Sequence, residues 1–554
     1  MSGTTFQTWQ EAAKTKRDQR DSLIPKEYLL DDKSLPPLDQ LQVVDFPSRS
    51  GKLSQLEIEI TEEDDVSVIL GKISKGVWKA TQVLEAFIKR TCIAHQLVNP
   101  LTEIHFEEAR EQAKSLDEYF ERTGKTFGPL HGLPISLKDQ FSFKGEDTTI
   151  GYVSYIGRKA PKDAVLVDLI KKAGGVPFVR TNLPQTLMHG ESFNEIFGTT
   201  LNPHNRLLTP GGSSGGEGAL VAIKGSPIGI GTDVGGSIRM PAAFCGLFGL
   251  KPSYNRLPYE GAVNSMEGQE SVPSTLGPLT RTLSGLVEFT KAILGQKPWL
   301  YDPLVPEIEW NESKYQEVKN RKLTIGIMWD DGIARPYPPY VRALKEAKEA
   351  LTASGHEVID FKPYKHAEGF AILGAIFAAD GGEDIKRAIE PLQEPLGPSV
   401  SGIGKDAISV YEYWQLSKRK VAYRKEYLDH WNRTSESTSH GRPIDAILCP
   451  GSIYTAQPLG SEIYVSYTGQ WNLLDYSVGV LPVTQVDPKL DPKPETLPEP
   501  LSEIDEKFYK KYDPTAIVGA PVGLQVVGRR YQEEAVLGMT SVVHEAIQEH
   551  RRRT

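Results

Sequence analysis

The chain of 554 residues contains only three cysteines, Cys92, Cys245 and Cys449. Their odd number and wide separation argue against a disulfide framework. Long apolar runs are also missing. The longest uncharged one, GFAILGAIFAA over Gly369–Ala379, is well short of the ~20 residues a membrane-spanning helix needs. The N-terminal stretch MSGTTFQTWQEAAKTKRDQRDSL lacks the apolar core of a signal peptide. There is no basic excess either: 63 Lys and Arg against 72 Asp and Glu give a net charge of −9. The electrostatic footprint of a nucleic-acid binder is therefore absent, and the one basic cluster, HRRRT at the C-terminus, reads as a solvated tail. These absences predict a reduced, soluble, cytoplasmic protein with neither a nucleic-acid partner nor a membrane anchor.

Several cofactor motifs fail on their own mechanics. Gly124-Lys125-Thr126 ends like a P-loop, but Tyr119 stands where its first glycine must be. Gly229, Gly231 and Gly235 miss the dinucleotide fingerprint by one residue. His544 and His550 in HEAIQEH lack the four-residue spacing of a zinc helix, and no Cys/His cluster has metal spacing. The expectation is no metal and no cofactor.

What is present alternates. Residues 1–60 read as a helix, an extended connection and a turn packed on a main body covering 61–554. From Thr61 the pattern is helical; ISLK then reads as a short strand ending at Lys138. DAVLVDLIKKAGGVPFVRTNLP predicts a helix closed by a glycine pair and followed by a strand. LTIGIM, HEVIDF, DAILCP and GAPVGLQVVGRR add strands, and the proline-rich VDPKLDPKPETLPEP an exposed loop. Strand–helix alternation over this length implies α/β layering in one large domain, without internal repeats.

The stretch Thr209–Pro241, TPGGSSGGEGALVAIKGSPIGIGTDVGGSIRMP, holds ten glycines. It is no flexible linker, because ALVAI and PIGIG are core-like and Glu217, Asp233 and Arg239 are interspersed. Backbone stripped of Cβ atoms suits a loop that approaches a ligand closely. Gly212–Gly216 matches the G-x-S-x-G nucleophile elbow at Ser214, but that elbow belongs after a hydrophobic strand. Here NPHNRLLTP precedes it, and the histidines such a reading needs (His356, His366, His430) occupy no distinctive loop.

GGSSGGEGA…GTDVGGSIRMPAAFCGLFGLKPS over Gly211–Ser253, with PLHGLPISLKDQF and GAPVGLQVVGRR, closely resembles the amidase signature family from about Thr61 onward. KRTCIAHQL, NSMEGQE, PYKH and AADGGEDI are most like the fungal acetamidase-type members, with fatty-acid amide hydrolases next. The resemblance implies a central mixed β-sheet flanked by helices. It also implies hydrolysis of a carboxylic amide through an acyl-serine: Ser237 as nucleophile, Ser213 as bridging proton carrier after a cis peptide bond, and Lys138 as base. To accept a proton Lys138 must be neutral, so its pKa has to fall from about 10.4 by burial or neighbouring donors. The bland reading of each is a surface lysine at a strand end and a structural hydroxyl at Ser214.

Acyl transfer also needs donors for an oxyanion. Consecutive backbone amides at Val234, Gly235, Gly236 and Ser237 suit this, with Asp233 and Arg239 bracing the loop. The resemblance places the Leu187 carbonyl near the scissile amide, and Ser213 beside the substrate. For the acyl pocket the expected segments are Met188, Gly369–Ala379 and Gly469–Val480. Small or medium amides fit the absence of an apolar anchor. A lipid-like or ester substrate, a non-catalytic subunit, an amidotransferase subunit and a homodimer stay open.

Overall fold

The computed structural model describes residues 8–553 apart from 32, 38 and 398–402. The expected N-terminal helix therefore has its first seven residues, and the basic tail its last, outside the described residues. Among the described residues thirteen strands form: β1 Leu101–Ile104, β2 Pro134–Lys138, β3 Val176–Thr181, β4 Phe193–Asn194, β5 Gly198–Thr199, β6 Ile228–Asp233, β7 Phe248–Lys251, β8 Thr275–Thr280, β9 Thr324–Ile327, β10 Glu357–Asp360, β11 Ala446–Pro450, β12 Val478–Gln485 and β13 Pro521–Val527. All but β4 and β5, which pair with each other, build one sheet in the order β1-β3-β2-β6-β8-β7-β12-β13-β11-β9-β10.

The sheet is mixed. β2 runs parallel to β3 and β6, and β9 parallel to β10 and β11, whereas the remaining neighbours are antiparallel. Central strands such as PISLK and VPFVRT are buried at every residue, as strands covered by helices on both faces must be. The helix Val165–Lys172 ends in Gly174 at φ +85°, and Gly175 leads into β3, as the glycine pair predicted. This is a single α/β domain with a large mixed sheet flanked by helices.

The glycines of β6, IGIG, have a steric reason that the sequence hides. The helix Gly215–Ala222 lies so close that a Cβ at Gly229 would sit 2.1 Å from Glu217 Oε2, and one at Gly231 would sit 2.6 Å from Ser214 Oγ. Side chains there would push the helix, and the serines before it, away from the strand ends.

The N-terminal segment is tied in by charge. On helix Trp9–Ser22, buried Lys16 reaches Glu103 at 2.7 Å and Asp147 at 3.0 Å, while Arg20 donates to the Leu101 carbonyl at 2.9 Å. The helix Gln55–Glu62 runs across residue 60, so no structural break falls there. Glu103 also faces Arg180, whose guanidinium lies 3.2 Å from Asp139 beside Lys138. Lys16→Met removes one partner of a buried ion cluster and should cost about 3 kcal/mol. The check is chemical denaturation beside Lys14→Met, whose ion pair is exposed. Equal midpoints for the two variants would show that the Lys16 cluster contributes nothing.

Candidate active site

Parallel β2 and β6 lie side by side, so their C-terminal ends, where open α/β sheets bind ligands, bring Lys138 beside Thr232 and Asp233. Lys138 has no exposed surface. Its Nζ lies 2.7 Å from Ser213 Oγ and 2.8 Å from Thr232 Oγ1. The Gly212–Ser213 peptide bond is cis. Burial pushes the Lys138 amine down to about 7, against the opposing pull of Asp233 and Glu217. The Glu217 carboxyl is itself pushed up to about 8 by burial, although it accepts from the Ser136 and Thr181 hydroxyls at 2.5 and 2.7 Å.

Asp233 behaves oppositely. Burial disfavours its charge, but Arg239 more than offsets this and holds the carboxyl well below the usual range. Arg239 donates to it through Nε at 3.0 Å and Nη2 at 2.9 Å, and Asn472 Nδ2 donates at 2.9 Å. The same carboxylate accepts the Gly236 and Ile238 amides at 2.8 and 3.1 Å. The remaining Arg239 N–H groups reach the Thr468 carbonyl and the Asn472 and Gln525 side chains. Loop 234–237 is thus held from beneath by Asp233 and Arg239.

Ser237 is 9% exposed and its carbonyl accepts the Ser214 amide at 3.2 Å. Among the described residues the amides of Val234, Gly235 and Ser237 make no hydrogen bond, and none joins Ser213 Oγ to Ser237 Oγ. Gly236 differs from the expectation. Its amide is engaged by Asp233, and a Cβ there would meet Thr468 Oγ1 at 2.3 Å. Ser214 Oγ accepts from the Thr232 amide at 3.2 Å and donates to the Thr232 carbonyl at 3.3 Å, stitching the helix start to β6. None of His356, His366 and His430 touches Ser214: their ring nitrogens reach the Leu323 amide, the Tyr427 hydroxyl and the Lys362 carbonyl.

Two cavities meet at Ser237, which lines both with Leu187, Met188 and Val234. The larger, about 320 Å³, is mainly apolar through Met188, Met240, Phe370, Phe377, Ile463 and Val465, with His189 and Glu462 also lining it. The smaller, about 40 Å³, is polar through Ser213, Thr232, Asn264, Ser265, Gln269 and Ser274. Leu187 follows Thr186, both at positive φ (+66° and +72°), in the loop separating them from β3. Within the Gly369–Ala379 segment the lining residues of the larger cavity are Phe370 and Phe377. Gly469–Val480 does not line either cavity; Trp471, Leu473 and Val478 are core, and Asn472 serves Arg239. Met240, Ile463 and Val465 escaped the sequence reading because a helix and a loop far apart in the chain bring them together. No group of three or more His, Cys, Asp or Glu among the described residues could hold a metal ion.

A family model described as Amidase matches residues 82–537. The chain is 42% identical to the acetamidase of Emericella nidulans, over 97% of this chain and 98% of that one. It is 40% identical to the acetamidase of Aspergillus oryzae over 97% and 98%. A solved fatty acid amide hydrolase superposes with a TM-score of 0.91 at 34% identity, covering 98% of this chain and 95% of the other. No helix among the described residues is long and apolar enough to cross a membrane. The buried amine at the end of β2, the serine-glycine loops around it and these matches lead to one conclusion: the chain belongs to the amidase family and is an amide hydrolase.

Proposed function

We propose that this enzyme hydrolyses primary carboxylic amides bearing a small to medium apolar acyl group, through an acyl-Ser237 intermediate. The observation that carries the reading is Lys138, fully buried and 2.7 Å from Ser213. A desolvated amine near neutrality can accept a proton that a solvated lysine would refuse. Lys138 draws the Ser213 hydroxyl proton, Ser213 takes that of Ser237, and Ser237 Oγ attacks the substrate carbonyl. The resulting oxyanion is met by backbone amides of the Val234–Ser237 turn, those of Val234, Gly235 and Ser237 being uncommitted. Collapse returns the proton through Ser213 to the leaving nitrogen. Water then repeats the relay to release the acid, without metal or cofactor.

The two cavities support the substrate class. The space beside Ser213, about 40 Å³ against about 320 Å³ for the larger cavity, suits a compact leaving group. The apolar cavity, about 320 Å³, is at the low end of the roughly 300–1,000 Å³ that sites for drug-sized ligands occupy. A primary amide should therefore exceed its N-butyl counterpart in kcat/KM by at least about tenfold, a steric discrimination of about 1.4 kcal/mol. Equal rates across N-substituents would remove the case for a small leaving-group pocket.

A fluorophosphonate followed by peptide mass spectrometry should label Ser237. A label on Ser214 with Ser237 untouched would reinstate the elbow reading.

Activity should depend on pH through Lys138. Because its pKa is about 7, the base is protonated and idle below that value, and kcat/KM should rise to a plateau above it. Lys138→Ala should lose roughly 10⁴-fold or more in kcat, as other triad removals do. A basic limb persisting at the same midpoint in that variant would assign the base elsewhere.

A further inference from the structure

Lys138 touches a second hydroxyl, that of Thr232, and this contact has a direction. Thr232 Oγ1 donates to Gln140 Oε1 at 2.7 Å. Its one proton is thereby committed, so towards Lys138 it can only accept, at 2.8 Å. The orientation of Gln140 that presents Oε1 to Thr232 also lets its Nε2 donate to Tyr259 OH at 2.7 Å and to Asn264 Oδ1 at 2.6 Å. The amide is fully buried, and its backbone is held two residues beyond Lys138 by the Val263 amide donating to its carbonyl at 2.9 Å.

We infer that Gln140 is a positioning residue that sets the polarity of the proton relay by holding the Thr232 hydroxyl as an acceptor for Lys138. A neutral amine has two N–H bonds and one lone pair. With one N–H bond spent on Thr232, the amine can rotate its lone pair toward the Ser213 hydroxyl, the proton it must take. If Thr232 were free to turn, its proton could occupy that lone pair instead and silence the base. The inference rests on the Lys138 reading above and adds to it two residues that never meet the substrate through this contact.

Accepting a hydrogen bond from Nζ favours the ammonium more than the amine, so the contact has a pH signature. The other ionisable groups facing Lys138 are Asp233 on β6 and Glu217 on the neighbouring helix; Tyr259, its hydroxyl pushed up to about 12 by burial, faces both Gln140 and Thr232. Asp139 beside it is turned to Arg180. A Gln140 or Thr232 variant removes one hydrogen bond of Tyr259, while Asp233 and Glu217 keep their own partners.

Gln140→Leu and Thr232→Val should each lower kcat/KM roughly 10- to 100-fold, the scale of a misplaced catalytic group. KM should change little, and each should move the midpoint of the basic limb to lower pH. In the double variant the loss and the shift should not exceed those of the larger single, because both remove one interaction. Thr232→Ser should restore most of the activity. Additive losses, or an unshifted midpoint in Gln140→Leu, would reduce Gln140 to a packing residue and overturn the inference. Gln140→Glu keeps an acceptor for Thr232 and guards against a Leu variant that fails to fold. Its midpoint should stay at or above the parent's, and a fall would equally overturn the inference. Lys138→Ala separates the two levels. If it abolishes the basic limb while Gln140→Leu leaves the profile intact, the base assignment stands and only the relay polarity falls.

Discussion

The interaction on which this site depends is the burial of one primary amine without a carboxylate in hydrogen-bond contact. Lys138 lies at the end of a strand with no exposed surface, and its two contacts are hydroxyls. Desolvation therefore outweighs the pull of the nearby carboxyls. Two carboxyls are near, but each is kept from becoming its counter-ion. Glu217 is pushed by burial toward its neutral form and takes hydrogen bonds from Ser136 and Thr181. Asp233 stays charged, but it is saturated by Arg239, Asn472 and two backbone amides. Were either to turn its charge on Lys138, the amine would become an ordinary ammonium.

That arrangement is possible only because backbones approach closely. The helix carrying Glu217 touches β6 across Gly229 and Gly231, where a Cβ would overlap Glu217 or Ser214. The same approach puts Ser213 within reach of Lys138 and lets Ser214 bridge to Thr232. Asp233 then does two jobs: it neutralises Arg239 inside the core and gathers the Gly236 and Ile238 amides. This leaves the other amides of the turn, at Val234, Gly235 and Ser237, without a hydrogen-bond partner among the described residues. The brace and the uncommitted donors are two faces of one loop.

Much of this was legible in the sequence, for stated reasons. The strand ending at Lys138 and the helix–glycine–strand pattern of 165–181 read directly as structure, whereas an inward lysine followed only from the resemblance, because a strand end equally suits a surface lysine. The density of glycine in 209–241 signalled close approach, although not what was approached. The partner of Gly229 is Glu217, on a helix that the one-dimensional pattern does not place. Choosing Ser213 over Ser214 needed family resemblance, since two adjacent hydroxyls have the same composition and differ only in direction. Gly469–Val480 misled because an aromatic, apolar segment reads alike as core and as pocket, and here its side chains face the Arg239 network and the sheet. Gln140 was invisible for a simpler reason. Its partner Thr232 is 92 positions away, and only the pairing of β2 with β6 brings them together.

The division between strands and loops also explains how relatives with different substrates share this frame. The chain is 42% identical to an acetamidase, yet superposes on a fatty acid amide hydrolase with a TM-score of 0.91. Lys138, Thr232 and Asp233 stand at strand ends, where the sheet's hydrogen bonds hold the backbone rigidly. The apolar cavity is walled differently. Met188 lies on a loop, Phe370 and Phe377 on the helix His366–Phe377, and Ile463 and Val465 on the segment leading into the helix Ser466–Leu474. None of these positions belongs to the sheet, so their side chains can change in size without moving the amine or the serines. Lys138, Thr232 and Asp233 are thus fixed by the sheet, while the cavity beside Ser237 is walled by elements outside it, which the shared sheet does not constrain.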